Sequence, residues 1–318
     1  MKVSVLIPVY NAARYLPECL ASLLAQDFKD MEILVADDGS ADGTAEIIRQ
    51  FAARDARLRW WKNPRNLGLA GNHNACLQAA RGDFIKFIHA DDKLLHSSAL
   101  TRMVAALEQD ETVSLVATGA QIIDEQSRVL RVQNNFRRTG RWEGKAVIVR
   151  CLEQNGNIIG EPTRTLFRKS QAQRGFDARY RQIGDLEMWF HLLEQGCFAY
   201  LAEPLFAYRI HPQQATALNR CNDAIADEHL MLLTDYHGKP WLGEYASRRM
   251  WFKQIYYLRK KYGPRAQPLT ADMMAALKPF WYRLYWLEHK LLHPLGKLME
   301  RCRRIPIFLK SAGHDRHL

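Results

Sequence analysis

The sequence predicts an α/β protein: a doubly wound, mixed but mostly parallel sheet flanked by helices, with a C-terminal helical extension. Two observations predict it. Through the first 125 residues, short apolar runs alternate with segments of helical spacing, the pattern of successive βαβ units. From about Cys221 the strand-like runs stop and long helical patterns take over.

Taken in order, residues 3–8 read as an apolar strand. Residues 13–25 carry Leu16, Leu20, Leu23 and Leu24 at helical spacing, and residues 32–36 form a second apolar strand. A helix over 44–53, a strand over 58–62, a helix over 69–80 and a strand over 83–89 follow. A helix over 97–108 and a strand over 113–117 complete this half. Residues 126–211 are less periodic, broken by Gly156, Gly160, Pro162, Gly175 and Gly184, and read as mixed α+β structure. Helices are expected over 224–236, 246–262 and 273–292, punctuated by Pro264, Pro268 and Pro294. The expected division is a sheet domain over 1–215, in halves 1–125 and 126–215, and a helical, basic region over 216–318.

With 47% hydrophobic, 25% charged and 10% aromatic residues, the 318-residue chain can fill one large core and an appended unit. No apolar run reaches the roughly 18 residues of a membrane span, and the ordered regions of a signal peptide are not read at the start. The six cysteines lie far apart without a Cys-x-x-Cys pair, so reduced thiols and a cytoplasmic location are expected. Pro8-Val9-Tyr10-Asn11 follows the first strand where a dinucleotide-binding enzyme would have its glycines, and no P-loop is found. The basic balance comes with no nucleic-acid reader motif, so nucleic acid is not an expected partner.

Asp37-Asp38-Gly39-Ser40 and Asp91-Asp92 each follow an apolar strand directly. Doubly wound sheets bind ligands outside the carboxyl ends of their strands, so two acidic pairs are expected on one rim. A carboxylate pair accepts a nucleotide diphosphate only through a bridging divalent cation, and Mg²⁺ or Mn²⁺ suits such oxygen ligands. The plainer reading of one such pair is a helix cap or a solvated turn.

These pieces, in this order, resemble the family 2 glycosyltransferases, whose fold is called GT-A. Residues 5–11, VLIPVYN, resemble the family's opening strand and loop, and residues 33–44, ILVADDGSADGT, its second strand and nucleotide-contacting turn. Asn66-Leu67-Gly68 with Asn74, then Gly82-Asp83-Phe84-Ile85, resemble the approach to the metal motif. The resemblance runs to about His211. It implies an inverting transferase of hexosyl type, as in bacterial polysaccharide biosynthesis. The sugar would pass from a nucleotide diphosphate, a UDP-sugar favoured, to a hydroxyl of a glycan or lipid-linked glycan. It implies Pro8, Tyr10, Asp38 and Asp91 around the nucleoside, Asp37 orienting the same turn, and Asp92 on the metal with Asp91 beside it.

Sugar transfer needs a base for the acceptor hydroxyl. Gly184-Asp185-Leu186-Glu187 resembles the family's Glu-Asp segment, so Asp185 is the candidate base and Glu187 the second choice. A helix N-cap is the plainer role for Asp185. Tyr208-Arg209-Ile210-His211 resembles a segment closing over the diphosphate, which implies Arg209 on substrate and His211 on phosphate or metal. Gly160-Glu161-Pro162-Thr163 resembles the loop beneath the acceptor. Three departures stand out: His89 where many members have an aspartate, Ala13 where many have an acid, and Gly184 before Asp185. With these, a non-catalytic nucleotide- or glycan-binding protein of the same fold is the alternative.

The net charge is +11, and residues 278–318 hold +6 of it, nine Lys/Arg against three acids. Trp281, Tyr282, Tyr285 and Trp286 share this segment with a stripe of Phe280, Leu284, Leu287 and Leu291. One reading is a helix packed on the catalytic domain. The other is contact with an anionic bilayer, peripheral on the inner face of the plasma membrane, aided by the run 305–309.

Overall fold

A computed structural model describes residues 1–154, 156–214, 224–245 and 248–303, with the backbone alone beyond Leu291. Contacts divide the chain into two compact units, Met1–Tyr245 and Ala246–Leu318.

The first unit opens as the alternation predicts. β1 (Val3–Val9), α1 (Leu16–Leu24), β2 (Met31–Asp37), α2 (Thr44–Ala52), β3 (Leu58–Lys62), α3 (Gly68–Ala79) and β4 (Phe84–Phe87) follow one another. β5 (Lys93–Leu94), α4 (Ala99–Glu108), β6 (Val113–Ile123), β7 (Val129–Gln133), β8 (Gly140–Trp142) and α5 (Gly144–Gln154) come next. β9 (Thr165–Arg168), α6 (Gly184–Leu193), β10 (Cys197–Arg209), α7 (Ala224–His237) and a helical turn, Leu242–Tyr245, complete the unit.

Among the described residues, ten strands join one mixed sheet in the order β3-β2-β1-β4-β9-β6-β10-β5, with β7 on β6 and β8 on β10. β3, β2, β1 and β4 run parallel. β9 is antiparallel to both β4 and β6, while β10 is parallel to β6. The strand expected over 113–117 runs on to Ile123, because β10 and β7 both pair with its second half.

Alternation decides which face each strand residue meets. Val3, Val5, Ile7 and Val9 of β1 join Leu16, Leu20 and Leu23 of α1 and Leu100, Met103 and Leu107 of α4 in one buried cluster. Full burial of each such side chain contributes about 1.5–3 kcal/mol, which anchors the strands whose ends build the site. Cys19, Cys76, Cys151 and Cys197 are free thiols. Cys221 and the side chain of Cys302 lie outside what is described.

The second unit holds α8 (Arg248–Tyr262), α9 (Gln267–Leu277) and α10 (Pro279–Arg303). The single helix expected over 273–292 is therefore two. It breaks at Lys278, whose φ is +67°, just before Pro279. A proline disfavours helical geometry in the residue before it, yet suits the first turn of a new helix. Pro294 does not end α10, which continues to Arg303. No described helix is long and apolar enough to cross a membrane. The run 305–309 and Arg304 lie outside the described residues.

Candidate active site

Because β2, β1 and β4 are parallel neighbours, their carboxyl ends share one rim. Asp37 and Asp38 leave β2 there, Tyr10 leaves β1 and stands exposed, and the turn 88–92 leaves β4. Pro8 pairs with Ala36 within the sheet. The two acidic pairs thus flank the end of β1.

The Asp37–Asp38 turn is braced by its neighbours. Asp37 is buried; its Oδ1 accepts the Ser40 N–H at 2.9 Å, and its Oδ2 is buried without a hydrogen-bond partner. Gly39 takes φ +85°, a conformation that costs glycine least. Asp38 accepts the Leu67 N–H at 2.8 Å and the Gly68 N–H at 3.0 Å, and the Asn63 amide donates to it at 2.8 Å. Its carboxylate therefore shapes the loop 66–68. Asn11 and Ala12 donate their N–H groups to Ser40 and Thr44, tying the loop after β1 to this turn.

His89, Asp91 and Asp92 form the one His/Cys/Asp/Glu group of metal-binding spacing among the described residues, with ligand atoms within 4.8 Å of one another. His89 Nε2 is buried and has no hydrogen-bond partner. Two carboxylates and an imidazole are a donor set that a divalent cation accepts, so the residues fit the ion the family resemblance implies. Asp92 Oδ2 accepts the Thr163 hydroxyl at 2.6 Å, and its Oδ1 accepts the Arg209 backbone N–H at 3.0 Å. His211 Nε2 lies 3.1 Å from Asp91 Oδ2.

Electrostatics separates the two aspartates. Burial and then the charge of Asp91 push the Asp92 carboxyl well above the usual carboxylate range. Burial also opposes the charge of Asp91, but hydrogen bonding from His211 and the nearby His89 hold it below that range. Burial lowers the pKa of His89.

Arg209 is buried, and its guanidinium bonds to protein groups. Its guanidinium donates to the Asp91 carbonyl at 2.8 Å, to the Asp124 carbonyl and the Ser127 hydroxyl at 3.0 Å each, and to Glu18. It also lies over the Tyr15 ring at 4.7 Å. Through the Asp91 carbonyl it holds the Asp91–Asp92 turn.

Asp185 lies in the first turn of α6, but Ile183 is the N-cap and no side chain caps the helix. Burial above all, and then the charge of Glu161, push the Asp185 carboxyl up to about 7, against the backbone N–H of Leu186. The Asn157 amide donates to Asp185 Oδ2 and to the Gly160 carbonyl at 3.1 Å each. The Trp189 indole donates to the same carbonyl at 2.9 Å. Gly160 has φ +118°, and a Cβ there would lie 2.2 Å from Arg164 Cδ, so this bend requires glycine. Glu187 is buried and accepts Arg174 at 2.7 Å.

Thr163 reads from the sequence only as part of the loop 160–163, and three further supporting residues, Lys86, Glu18 and Glu228, escaped the sequence reading. Thr163 holds Asp92, and its hydroxyl also accepts the His89 N–H at 3.0 Å. Lys86 is fully buried in β4 and donates to the carbonyls of Thr163 and Thr165; burial lowers its pKa to about 7. Glu18 takes Arg209 and Lys93. Glu228, in α7, accepts the backbone N–H groups of Arg181, Gln182 and Ile183, which lead into α6. Of those three, only Lys86 left a sequence signal, a lone charge inside an apolar strand.

Residues 4–176 match the model of glycosyl transferase family 2. EpsE of Bacillus subtilis, provisionally described as a glycosyltransferase, is 31% identical over 217 residues, 65% of this chain and 73% of its own length. A Campylobacter jejuni relative, named GalNAc(5)-diNAcBac-PP-undecaprenol β-1,3-glucosyltransferase, is 37% identical over 108 residues, 34% of this chain and 35% of its own. Among solved structures, S. aureus TarS 1–349 in complex with UDP-GlcNAc superposes with a TM-score of 0.66 at 18% identity, over 87% of this chain and 80% of that one. The mannosyltransferase PcManGT from Pyrobaculum calidifontis, in complex with GDP-Man and Mn²⁺, gives 0.55 at 18% identity, over 92% and 80%. Its fold is that of the GT-A glycosyltransferases, and the chain belongs to glycosyl transferase family 2.

Proposed function

We propose that the chain moves a hexosyl group from a nucleotide-diphosphate sugar, a UDP-sugar favoured, to a hydroxyl of a glycan or lipid-linked glycan acceptor. The transfer inverts the anomeric carbon and uses Mg²⁺ or Mn²⁺. One observation carries this reading: residues 157–163 reach Asp185 through Asn157 at one end and Asp92 through Thr163 at the other. A diphosphate-binding centre and a base must serve one reaction centre, and a single braced segment fixes their spacing. The UDP-GlcNAc bound by TarS supports the donor class, the Mn²⁺ of PcManGT supports the ion, and the Campylobacter relative's name supports a lipid-linked acceptor.

In this mechanism Asp92 and Asp91, with His89 and His211 beside them, would hold the divalent cation. Its chemistry there is to offset the charge that grows on the leaving diphosphate. Pro8, Tyr10, Asp37 and Asp38 form the nucleoside side of the rim, and Arg209 keeps the Asp91–Asp92 turn in place. Asp185 takes the proton of the acceptor hydroxyl as that oxygen bonds to the anomeric carbon. The bond from that carbon to the diphosphate breaks, and its electron pair leaves with the nucleotide. Attack opposite the leaving group inverts the centre. Catalysis is assigned to residues 1–215, buttressed by Glu228 beyond them, in the cytoplasm beside the membrane that would carry a lipid-linked acceptor.

The test is product analysis with a panel of nucleotide sugars and Mn²⁺, with the anomeric configuration read by NMR. An inverted glycoside is expected. Nucleotide binding without turnover of any donor would leave a binding protein of the same fold, and a retained configuration would remove Asp185 from its role.

A further inference from the structure

The two compact units differ sharply in charge. Residues 1–245 carry 29 Lys/Arg and 30 Asp/Glu, a net of −1. Residues 246–318 carry 16 and 4, a net of +12. The whole positive balance of the protein belongs to the helical unit, and Arg259, Lys260, Lys261, Lys278, Arg283 and Lys290 are all exposed there.

The same unit has an uncovered apolar face. On α10, Tyr282, Tyr285 and His289 pack against Phe252 of α8, with ring centroids 5.4, 5.9 and 6.1 Å away. About half a helical turn around lie Phe280, Leu284, Leu287 and Leu291, spaced to fall on one stripe. They are 69%, 45%, 53% and 70% exposed. Trp286, also exposed, lies beneath the Lys290 ammonium at 4.8 Å. Isolated exposed leucines are ordinary, but four large apolar side chains in register on one helix face mark a contact surface.

We propose that this face of α10 docks on an anionic phospholipid surface, with Phe280, Leu284, Leu287 and Leu291 entering the headgroup boundary and the surrounding Lys and Arg meeting the lipid phosphates. Charge and apolar stripe together select this occupant. A second copy would bring another +12 against the first, and like charges repel. A nucleic acid would answer the charge but leave the aliphatic row without a partner. An anionic bilayer answers both, since interfacial helices combine an apolar stripe with basic residues. The docking deepens the transferase reading, on which its biological sense rests, by naming the surface that would bring a lipid-linked acceptor within reach.

The experiment is co-sedimentation of the full chain with phosphatidylcholine vesicles, alone or mixed with phosphatidylglycerol, at low and high salt. Two double variants accompany it, Leu284→Gln/Leu291→Gln and Arg283→Gln/Lys290→Gln. Binding is expected only to the anionic vesicles, weaker at high salt, and about tenfold weaker or more in each double variant. Because the four apolar side chains are exposed, the melting temperature of the leucine variant should match the parent. Transfer to a soluble acceptor should also be unchanged in both variants, so docking and catalysis can fail separately. The proposal is overturned by absent binding, by equal binding to neutral and anionic vesicles, or by indifference to the leucine changes. It is equally overturned by a lower melting temperature of the leucine variant, by a dimer in sedimentation velocity that this variant dissolves, or by tighter binding to a DNA duplex than to the vesicles.

Discussion

Thr163 donates its hydroxyl to Asp92 Oδ2 at 2.6 Å, and the same hydroxyl accepts the His89 backbone N–H at 3.0 Å. One side chain on the 3₁₀ turn before β9 thus orients two members of the candidate metal centre after β4. Partners behind a metal ligand commonly change affinity about 10- to 100-fold. Thr163→Val should therefore weaken Mn²⁺ binding by at least about tenfold, followed by the loss of free Mn²⁺ signal in EPR titration. Thr163→Ser should restore it, and a Thr163→Val titration matching the parent's would count against this role.

Nucleotide binding should depend on the ion. Isothermal titration with UDP is expected to show strong binding with Mn²⁺ and weak binding in EDTA, and Asp92→Ala should resemble the EDTA state. UDP affinity indifferent to chelator would remove the acidic pair from donor binding.

Asp185→Asn should keep donor affinity and lose roughly two to four orders of magnitude in rate, the range for removing a general base. Burial holds the Asp185 carboxyl at about 7, so the parent's rate should rise with pH through about that value. Glu161→Gln removes a neighbouring negative charge and should move this limb to lower pH. The same burial has a sign for stability. The folded chain binds this proton more tightly than the unfolded one, so this group makes stability fall as pH rises from about 4 to about 7. Asp185→Asn should accordingly melt higher than the parent at pH 8 and close to it at pH 4.

Glu228 accepts three successive backbone N–H groups from the turn that enters α6. Removing a charged acceptor leaves these donors, the buried Ile183 N–H among them, without that partner, at roughly 1.5–3 kcal/mol for a hydrogen bond to a charged group. Glu228→Ala should cost stability on the order of 2–4 kcal/mol in urea unfolding. It should also lower kcat more than donor affinity, since the displaced turn carries Asp185 and not the nucleotide rim. A stable variant with unaltered kcat would show that the turn holds its shape without Glu228.

Alternating apolar runs and helical stripes, which are local and periodic, were enough to find β1 to β4 and the helices between them. Turn residues after those strands, Asp37, Asp38, Asp91 and Asp92, were legible for the same reason: a parallel sheet must put its strand ends on one rim. The sequence by itself also determined the basic C-terminal balance and the apolar stripe of α10. Only the tertiary structure decided what each group touches. Asp38 faces the loop 66–68, about thirty residues away, and Arg209 at the end of β10 closes on Glu18 of α1. Lys86 and Glu228 reach backbone groups 45 or more residues distant, and no local pattern encodes such pairings. The open side of α10 likewise depends on which face α8 covers. Secondary structure follows from neighbours in the chain, whereas a site follows from the packing that brings distant residues within a hydrogen bond's reach.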